Sequence, residues 1–131
     1  MKAEVTNGRK VITFPNDEVV IPKFISGIVG GRTLDVSAVT ETYVKAGHVI
    51  ITDDNGVYKP LGTSDGKYVS VPDGYSICGV LYRTLPTATP MASIMTNGQL
   101  NSVAVPYPLT EVEAAFKAAL PLIELVKDEE A

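Results

Sequence analysis

Short runs of apolar and β-branched residues alternate with strong turn signals along most of this chain. The turn signals consist of Asn, Asp, Pro and Gly, which accept positive φ or favour a tight reversal of the backbone. They are Asn7-Gly8, Asn55-Gly56, Asp65-Gly66, Pro72-Asp73-Gly74 and Asn97-Gly98. The intervening segments are rich in Val, Ile, Tyr and Thr, which favour strands. This pattern predicts a mainly β domain, either a small barrel or a sandwich.

Two β-hairpins and one further strand are predicted in the middle of the chain. Residues 49–52 and 57–60 flank the Asp53-Asp54-Asn55-Gly56 turn, and this arrangement is typical of a hairpin. Residues 76–82 form a predicted strand after the Pro-Asp-Gly turn. The second hairpin is predicted around Asn97-Gly98, with strands at 91–96 and 99–105, because Asn-Gly is a preferred two-residue hairpin loop.

The N-terminal part of the chain is less regular. Residues 1–17 carry few bulky apolar side chains and are predicted to be an arm or edge segment, either free or docked on a partner. Residues 18–131 are predicted to form one β-rich domain. Within it, residues 18–21 and 24–29 have the composition of strands, and residues 34–37 are a candidate for another.

One helix is predicted near residues 110–120. Thr110 suits an N-cap, and Glu113 three residues later would complete a capping box. The body of the segment is rich in Ala, the residue with the highest helix propensity. Pro121 is expected to end the helix, and residues 122–126 have the composition of a last strand.

Composition and charge narrow the classes of function. The chain has 131 residues, enough for one domain, with 45 % hydrophobic and 20 % charged residues. Its net charge is −4 and its basic residues are scattered, so neither a nucleic acid nor an anionic membrane is an expected partner. No apolar run approaches the roughly 20 residues that span a bilayer. The N-terminal residues lack an apolar signal-peptide core, which favours synthesis in the cytoplasm.

Few residues suggest catalytic chemistry. His48 is the only histidine, and it could act with Cys78, a serine or an acid such as Asp53 in a hydrolase. The simpler interpretation is a hydrogen-bonded imidazole at the start of a strand. Cys78 lies in an apolar segment, where cysteine usually behaves as a small hydrophobic residue, and a single cysteine excludes an intrachain disulfide. We therefore expect no enzyme, no metal site and no cofactor.

Several segments, taken in order, resemble a known class of viral proteins. They are VKAGHVI at 44–50, GVYKPL at 56–61, KY at 67–68, GVL at 79–81, PMASIMTNGQLN at 90–101, PYPLT at 106–110 and AAFKAALPLI at 114–123. The combination resembles the head fibre and head decoration proteins of tailed bacteriophages, especially phages that infect gut Bacteroidales. This resemblance covers roughly residues 44–126.

The resemblance implies a structural role on the virion. Proteins of this class form β-rich, trimeric modules that bind major capsid protein subunits on the outside of the shell and cement them. By this resemblance we expect a homotrimer, made in the host bacterial cytoplasm and located on the capsid surface. A host-surface glycan is a further candidate partner. The alternatives are a small β-barrel that binds a ligand or carbohydrate, and a hydrolase that uses His48.

The predicted helix and the residues after it supply a candidate intersubunit face. Its apolar side chains follow a spacing of three and four residues on the helix and continue into the last strand. The face comprises Val112, Phe116, Ala119, Leu120, Leu122 and Ile123. The alternative is that the helix only covers the end of its own β domain.

Overall fold

The computed structural model describes residues 16–28 and 31–127. The predicted N-terminal arm lies outside these residues, except that residues 16 and 17 begin the first helix. The described chain is mainly β, as predicted, with one short helix near the C-terminal end. Its sheets are predominantly antiparallel and are not closed into a barrel.

Twelve strands and two α-helices make up the described chain. The helices are α1 (Asn16–Val20) and α2 (Glu113–Ala119). The strands are β1 (Lys23–Gly27), β2 (Arg32–Thr33), β3 (Tyr43–Val44), β4 (Val49–Asp53), β5 (Tyr58–Pro60), β6 (Thr63–Ser64), β7 (Lys67–Tyr68), β8 (Tyr75–Leu81), β9 (Leu85–Pro86), β10 (Met91–Ala92), β11 (Ile94–Asn101) and β12 (Ile123–Val126).

The main sheet has six strands. Five follow the order β1-β11-β8-β4-β5, and β12 pairs with β11. The β11–β12 pair is parallel, and the other pairs of this sheet are antiparallel. Three two-stranded sheets, β2–β10, β3–β9 and β6–β7, complete the described architecture. The hairpin predicted around residues 53–56 is confirmed, because β4 and β5 pair across that turn.

The centre of the main sheet is buried on both faces, whereas its edge strand β1 is largely exposed. Val49, Ile50 and Ile51 on β4 are all fully buried, but they alternate between two hydrophobic clusters, as the period of a strand requires. Val49 and Ile51 join the larger cluster together with Phe116 of α2. Ile50 joins the second cluster, which includes Leu34. We call the larger cluster the helix-side core.

The N-terminal strand predicted at residues 18–21 is wrong, because Asn16–Val20 forms α1. Val20 and Ile21 are each 5 % exposed and belong to the helix-side core, whereas Glu18 is exposed. Burial of two apolar side chains in a shared core therefore outweighs the strand preference of β-branched residues. The following strand is confirmed as β1, which occupies Lys23–Gly27.

The hairpin predicted at Asn97-Gly98 is also wrong, because both residues lie within the single strand β11. At Gly98 the backbone of β1 comes very close, and a Cβ atom there would collide with the carbonyl oxygen of Lys23. Glycine in the interior of a strand often marks such a close approach. The residue that suggested a turn therefore permits β1 to pair with β11.

The strand considered at residues 34–37 is not formed. Leu34 makes one isolated bridge to Tyr58, and the chain then turns. The Asp35 carboxylate accepts hydrogen bonds from the backbone N–H of Ser37 at 3.1 Å and from its hydroxyl at 2.7 Å. Such local side-chain bonds compete with a β-ladder, and here they end the extended segment.

The C-terminal helix begins later than predicted. Thr110–Val112 forms a 3₁₀ turn, and no side chain caps either this turn or α2. Glu113 pairs instead with Lys117 one turn later, at 2.9 Å. The tight turn buries Val112, which is 4 % exposed, so core packing replaces the predicted capping box. The last strand is confirmed as β12.

Candidate functional site

His48 lies at the start of β4, and a glycine turn places it there. Gly47 has φ of +87°, a conformation that residues with a side chain rarely adopt. A Cβ atom at this position would also stand only 2.6 Å from a methyl carbon of Val20. The turn is closed by the His48 N–H, which donates to the Lys45 carbonyl oxygen at 3.2 Å. Only glycine allows α1 to pack this closely behind His48.

The imidazole of His48 is almost entirely enclosed. The residue is 9 % exposed, and its Nε2 lies 2.8 Å from the carbonyl oxygen of Leu61. A carbonyl only accepts, so Nε2 carries the proton. The rings of Tyr68 and Tyr107 meet the imidazole edge to face at centroid distances of 5.3 and 5.5 Å. Burial lowers the pKa of His48 below its ordinary value, which keeps the ring neutral near pH 7.

Tyr68 connects His48 to the helix-side core. Its hydroxyl accepts a hydrogen bond from the backbone N–H of Val49 at 3.0 Å, and it is 3 % exposed. Burial raises the pKa of Tyr68 well above the usual value for a phenol. Its ring also contacts Tyr107 at a centroid distance of 5.5 Å. Together the two tyrosines fix the orientation of the imidazole.

A cavity of about 800 Å³ opens beside this histidine. One wall is the segment 37–45, and the opposite wall is formed by residues 59–63 of the β5 region. Tyr107 and Pro106 contribute a third side. The volume falls within the range of small-molecule sites in proteins, which is roughly 300–1,000 Å³.

His48 and Tyr107 each have a polar side-chain atom without a hydrogen-bond partner among the described residues. Every buried side-chain nitrogen and oxygen in the described chain has a hydrogen-bond partner. His48 Nδ1 and the Tyr107 hydroxyl have none, so both atoms must reach accessible space. Since Nε2 holds the proton, Nδ1 presents a lone pair and can only accept. The Tyr107 hydroxyl can both donate and accept.

The ionised groups at the cavity balance in number. Asp35 and Glu41 are acidic, while Lys45 and Lys59 are basic. The two hydrogen bonds from Ser37 lower the pKa of Asp35, which therefore stays ionised. The Lys59 ammonium lies 4.5 Å from the centroid of the Tyr75 ring. The site therefore has no dominant sign of charge.

The structure does not pair His48 with the nucleophile or the acid suggested by the sequence. The carboxylate of Asp53 accepts backbone N–H groups from Asn55 and Val57 at 2.9 and 3.0 Å, and this fixes the β4–β5 turn. The Cys78 thiol lies 3.4 Å from the carbonyl oxygen of Ile50. Burial raises the pKa of Cys78 to about 11, so the reactive thiolate is scarce at neutral pH.

The residues of the candidate intersubunit face lie in two different environments, four of them buried and two exposed. Most of its members lie in the helix-side core of their own chain, at 0–7 % exposure, where they do not reach a neighbouring subunit. These members are Val112, Phe116, Leu120 and Ile123. Ala119 and Leu122 are exposed, and Leu122 is 64 % exposed. The face as a whole therefore does not form one exposed surface.

A different set of exposed apolar residues lies around the middle of β11. Gly98 pairs with Phe24 on one side, and on the other its N–H donates to the Leu122 carbonyl oxygen at 3.3 Å. Phe24, Ile25 and Leu122 are 40, 55 and 64 % exposed, respectively. Helical periodicity could not have found Phe24 or Ile25. Their signal was the apolar composition of the short segment after Pro22.

An aromatic and cationic stack extends this surface. The rings of Phe24 and Tyr82 lie 4.4 Å apart between centroids, and the Arg83 guanidinium lies 4.4 Å from the centroid of Tyr82. Tyr82 directly follows β8, which also pairs with β11. We define the β11-flanking surface by the residues on these neighbouring strands and their ends: Phe24, Ile25, Tyr82, Arg83 and Leu122.

Comparison with known proteins adds no assignment. No protein family, curated protein or solved structure significantly matches the chain. Across residues 16–28 and 31–127, no helix is long and apolar enough to cross a membrane. In the same part of the chain, no three His, Cys, Asp or Glu side chains are grouped to hold a metal ion.

Proposed function

We propose that this chain is a structural virion protein that decorates the capsid of a tailed phage by binding its major capsid protein, as a homotrimer. The proposal rests first on the ordered resemblance of residues 44–126 to head decoration proteins. The mainly β fold is compatible with it. A decoration module needs a rigid frame and a docking surface, and it needs no chemical step.

The observation that carries the proposal is the β11-flanking surface. Large apolar side chains grouped on a surface are typical of protein-docking sites. Aromatic residues and arginine dominate the binding energy of many interfaces, and the Phe24–Tyr82–Arg83 stack has this composition. Phe24 and Ile25 lie on a strand of the main sheet, so little backbone entropy is lost there on docking. The major capsid protein is the partner that we assign to this surface.

Trimer formation would strengthen such docking. Three linked copies of a modest contact act through effective concentration, so the complex is far tighter than each contact alone. Light scattering on the purified chain is expected to give the mass of a trimer. A monomer at all micromolar concentrations, together with failure to bind heads, would contradict the proposal.

The experiment that tests the docking surface is cosedimentation with phage heads stripped of accessory proteins. The double variant Ile25→Asp/Leu122→Asp is expected to lose binding by at least about tenfold. Burying one large apolar side chain contributes roughly 1.5–3 kcal/mol, and 1.4 kcal/mol corresponds to a factor of ten. Binding of this variant at the level of the unmodified chain would exclude the β11-flanking surface as the contact.

A matched control uses exposed apolar residues outside this surface. Met91 and Val103 are 63 and 50 % exposed, similar to Leu122 and Ile25. The variant Met91→Asp/Val103→Asp introduces the same two charges and is expected to bind heads within about twofold of the unmodified chain, since surface substitutions away from a contact have small effects. Equal loss in both variants would indicate a general charge effect and would count against a specific docking surface.

A further inference from the structure

The cavity beside His48 selects for a ligand that donates a hydrogen bond. His48 is nine-tenths buried, and its Nε2–H is committed to the Leu61 carbonyl oxygen. The remaining nitrogen, Nδ1, is therefore an acceptor on a residue that lines the cavity. The free hydroxyl of Tyr107 lies on a ring whose centroid is 5.5 Å from that of His48. A group that approaches both atoms must carry an O–H or an N–H.

The cavity walls combine apolar and hydroxyl-bearing side chains. Val39, Val69 and Pro106 supply apolar contact, while Thr40 and Thr63 supply hydroxyl groups. Such walls suit a ligand that is itself apolar on one face and rich in hydroxyls around its edge. A sugar ring has this character, because its axial C–H groups form an apolar face and its hydroxyls project outward. Aromatic rings such as Tyr107 commonly contact that face.

The balance of charge in the cavity favours a neutral ligand over an ionic one. Two carboxylates and two ammonium groups line the cavity, so an anion or a cation would gain from one pair and be repelled by the other. The described residues hold no group of three metal-ligating side chains, so a bound metal ion does not explain the free Nδ1 either. A neutral, polyhydroxylated ligand matches both observations.

We propose that this cavity binds one neutral sugar unit, with His48 Nδ1 accepting a hydrogen bond from a sugar hydroxyl and Tyr107 contributing its hydroxyl and ring. The binding site goes beyond capsid decoration. It shares no residue with the β11-flanking surface, so either proposal can fail alone.

The proposal can be tested by titrating the ¹⁵N-labelled protein with glucose, galactose, mannose and N-acetylglucosamine at millimolar concentrations. At least one sugar is expected to shift the amide signals of Thr42, Gly62 and Thr63 in a saturable manner. Glucose 6-phosphate and glucosamine serve as charged probes and are expected to bind no more tightly than glucose. Tighter binding of either charged probe would overturn the assignment of a neutral ligand.

Two substitutions change the polar atoms of the cavity. Tyr107→Phe deletes only the hydroxyl, and His48→Gln retains an amide donor for Leu61 while replacing the Nδ1 acceptor with an amide oxygen at a different position. Each is expected to weaken sugar binding by about fivefold, since one hydrogen bond contributes roughly 1 kcal/mol. Tyr58→Phe is the matched control, because Tyr58 does not line the cavity. The Tyr58→Phe variant should bind the sugar with the affinity of the unmodified chain.

Three results would overturn the proposal. They are the absence of any saturable shift with all four sugars, shifts that map away from the cavity, and unchanged affinity in the Tyr107→Phe variant. If His48→Gln fails to fold, as judged by circular dichroism, the Tyr107→Phe result alone decides, because that change removes one accessible oxygen atom.

Discussion

The apolar face of α2 and the β11-flanking surface carry similar side chains, but the first is largely buried and the second is largely exposed. Phe116 on the helix is fully buried, whereas Leu122, only six residues later, is 64 % exposed. The helix lies over the main sheet and fills the helix-side core. Leu122 stands just before β12 and is exposed, although the next residue, Ile123, belongs to that core. Sequence proximity therefore does not imply a shared surface.

Apolar residues in a sequence can belong either to a face that the chain itself covers or to a surface that stays exposed. A regular spacing of three and four residues indicates a face that must be covered, and the nearest cover is the chain's own sheet. The exposed apolar residues lack such periodicity, because they lie on a short strand with two register irregularities and before another strand. The residues proposed for docking are accordingly easier to find in the structure than in the sequence pattern.

The largest expected effect comes from Phe116→Ala, which tests whether α2 serves the core. Removing a fully buried phenylalanine should lower the free energy of unfolding by about 3–5 kcal/mol, through lost burial and a new cavity. Urea denaturation measures this change. A loss below about 1 kcal/mol would mean that the helix packs only loosely, and the contrast with Leu122 would disappear.

Gly98→Ala tests how β1 is attached to β11. The added Cβ would collide with the Lys23 carbonyl oxygen and lie 2.7 Å from the sulfur of Met95, so a cost of about 1–3 kcal/mol is expected. Hydrogen exchange should accelerate in β1. Gly62→Ala is the control, since its Cβ would meet only a methyl carbon of Val69 at 3.5 Å. Equal effects of the two substitutions would argue against a close approach at Gly98.

The pH dependence of the free energy of unfolding tests whether His48 is buried next to the helix-side core. Its pKa is lowered in the folded protein by burial, so the unfolded chain takes up a proton first as the pH falls. Stability should therefore be fully present above about pH 6.5 and decline below it, by at most about 1.4 kcal/mol per pH unit. Urea unfolding between pH 7.5 and 5 measures the slope.

The variant His48→Gln is the control for this slope. It should flatten the decline between pH 6.5 and 5.5, because it removes the only histidine of the chain. An identical slope in the variant would show that protonation elsewhere controls acid stability.

The smallest effect on stability is expected from single changes on the β11-flanking surface. Ile25→Asp and Leu122→Asp should each alter the free energy of unfolding by no more than about 0.5 kcal/mol, because both side chains are more than half exposed. The same urea assay measures this. A cost above about 2 kcal/mol would show that these residues stabilise the chain itself, and a docking role would lose its support.

The sequence predicted the fold class and several elements correctly because local signals and tertiary packing agreed there. The apolar run Val49–Ile51 and the turn after it specified the β4–β5 hairpin, and the structure confirms it. The segment after Pro-Asp-Gly likewise became β8. In both cases turn residues lie at the surface, where local preference decides the conformation.

Prediction failed where contacts between distant residues decided the conformation. Asn97-Gly98 has the composition of a tight turn, but the close approach of β1, more than 70 residues earlier in the chain, keeps it extended. Thr110 has the composition of an N-cap, but burial of Val112 tightens that turn instead. His48 was identified as the candidate imidazole, whereas its partners Leu61, Tyr68 and Tyr107 could not be found without the fold.

The position of β11 has a consequence for the order of folding. This strand pairs with β1 from the N-terminal side and, in parallel, with β12 from the C-terminal side, so it joins the two ends of the described chain. During synthesis, the sheet cannot be completed until residues 123–126 have emerged from the ribosome. Pairings between residues so far apart in sequence form slowly, because loop closure costs entropy before the contacts are gained. We therefore expect a folding rate limited by the assembly of β11 with β1 and β12.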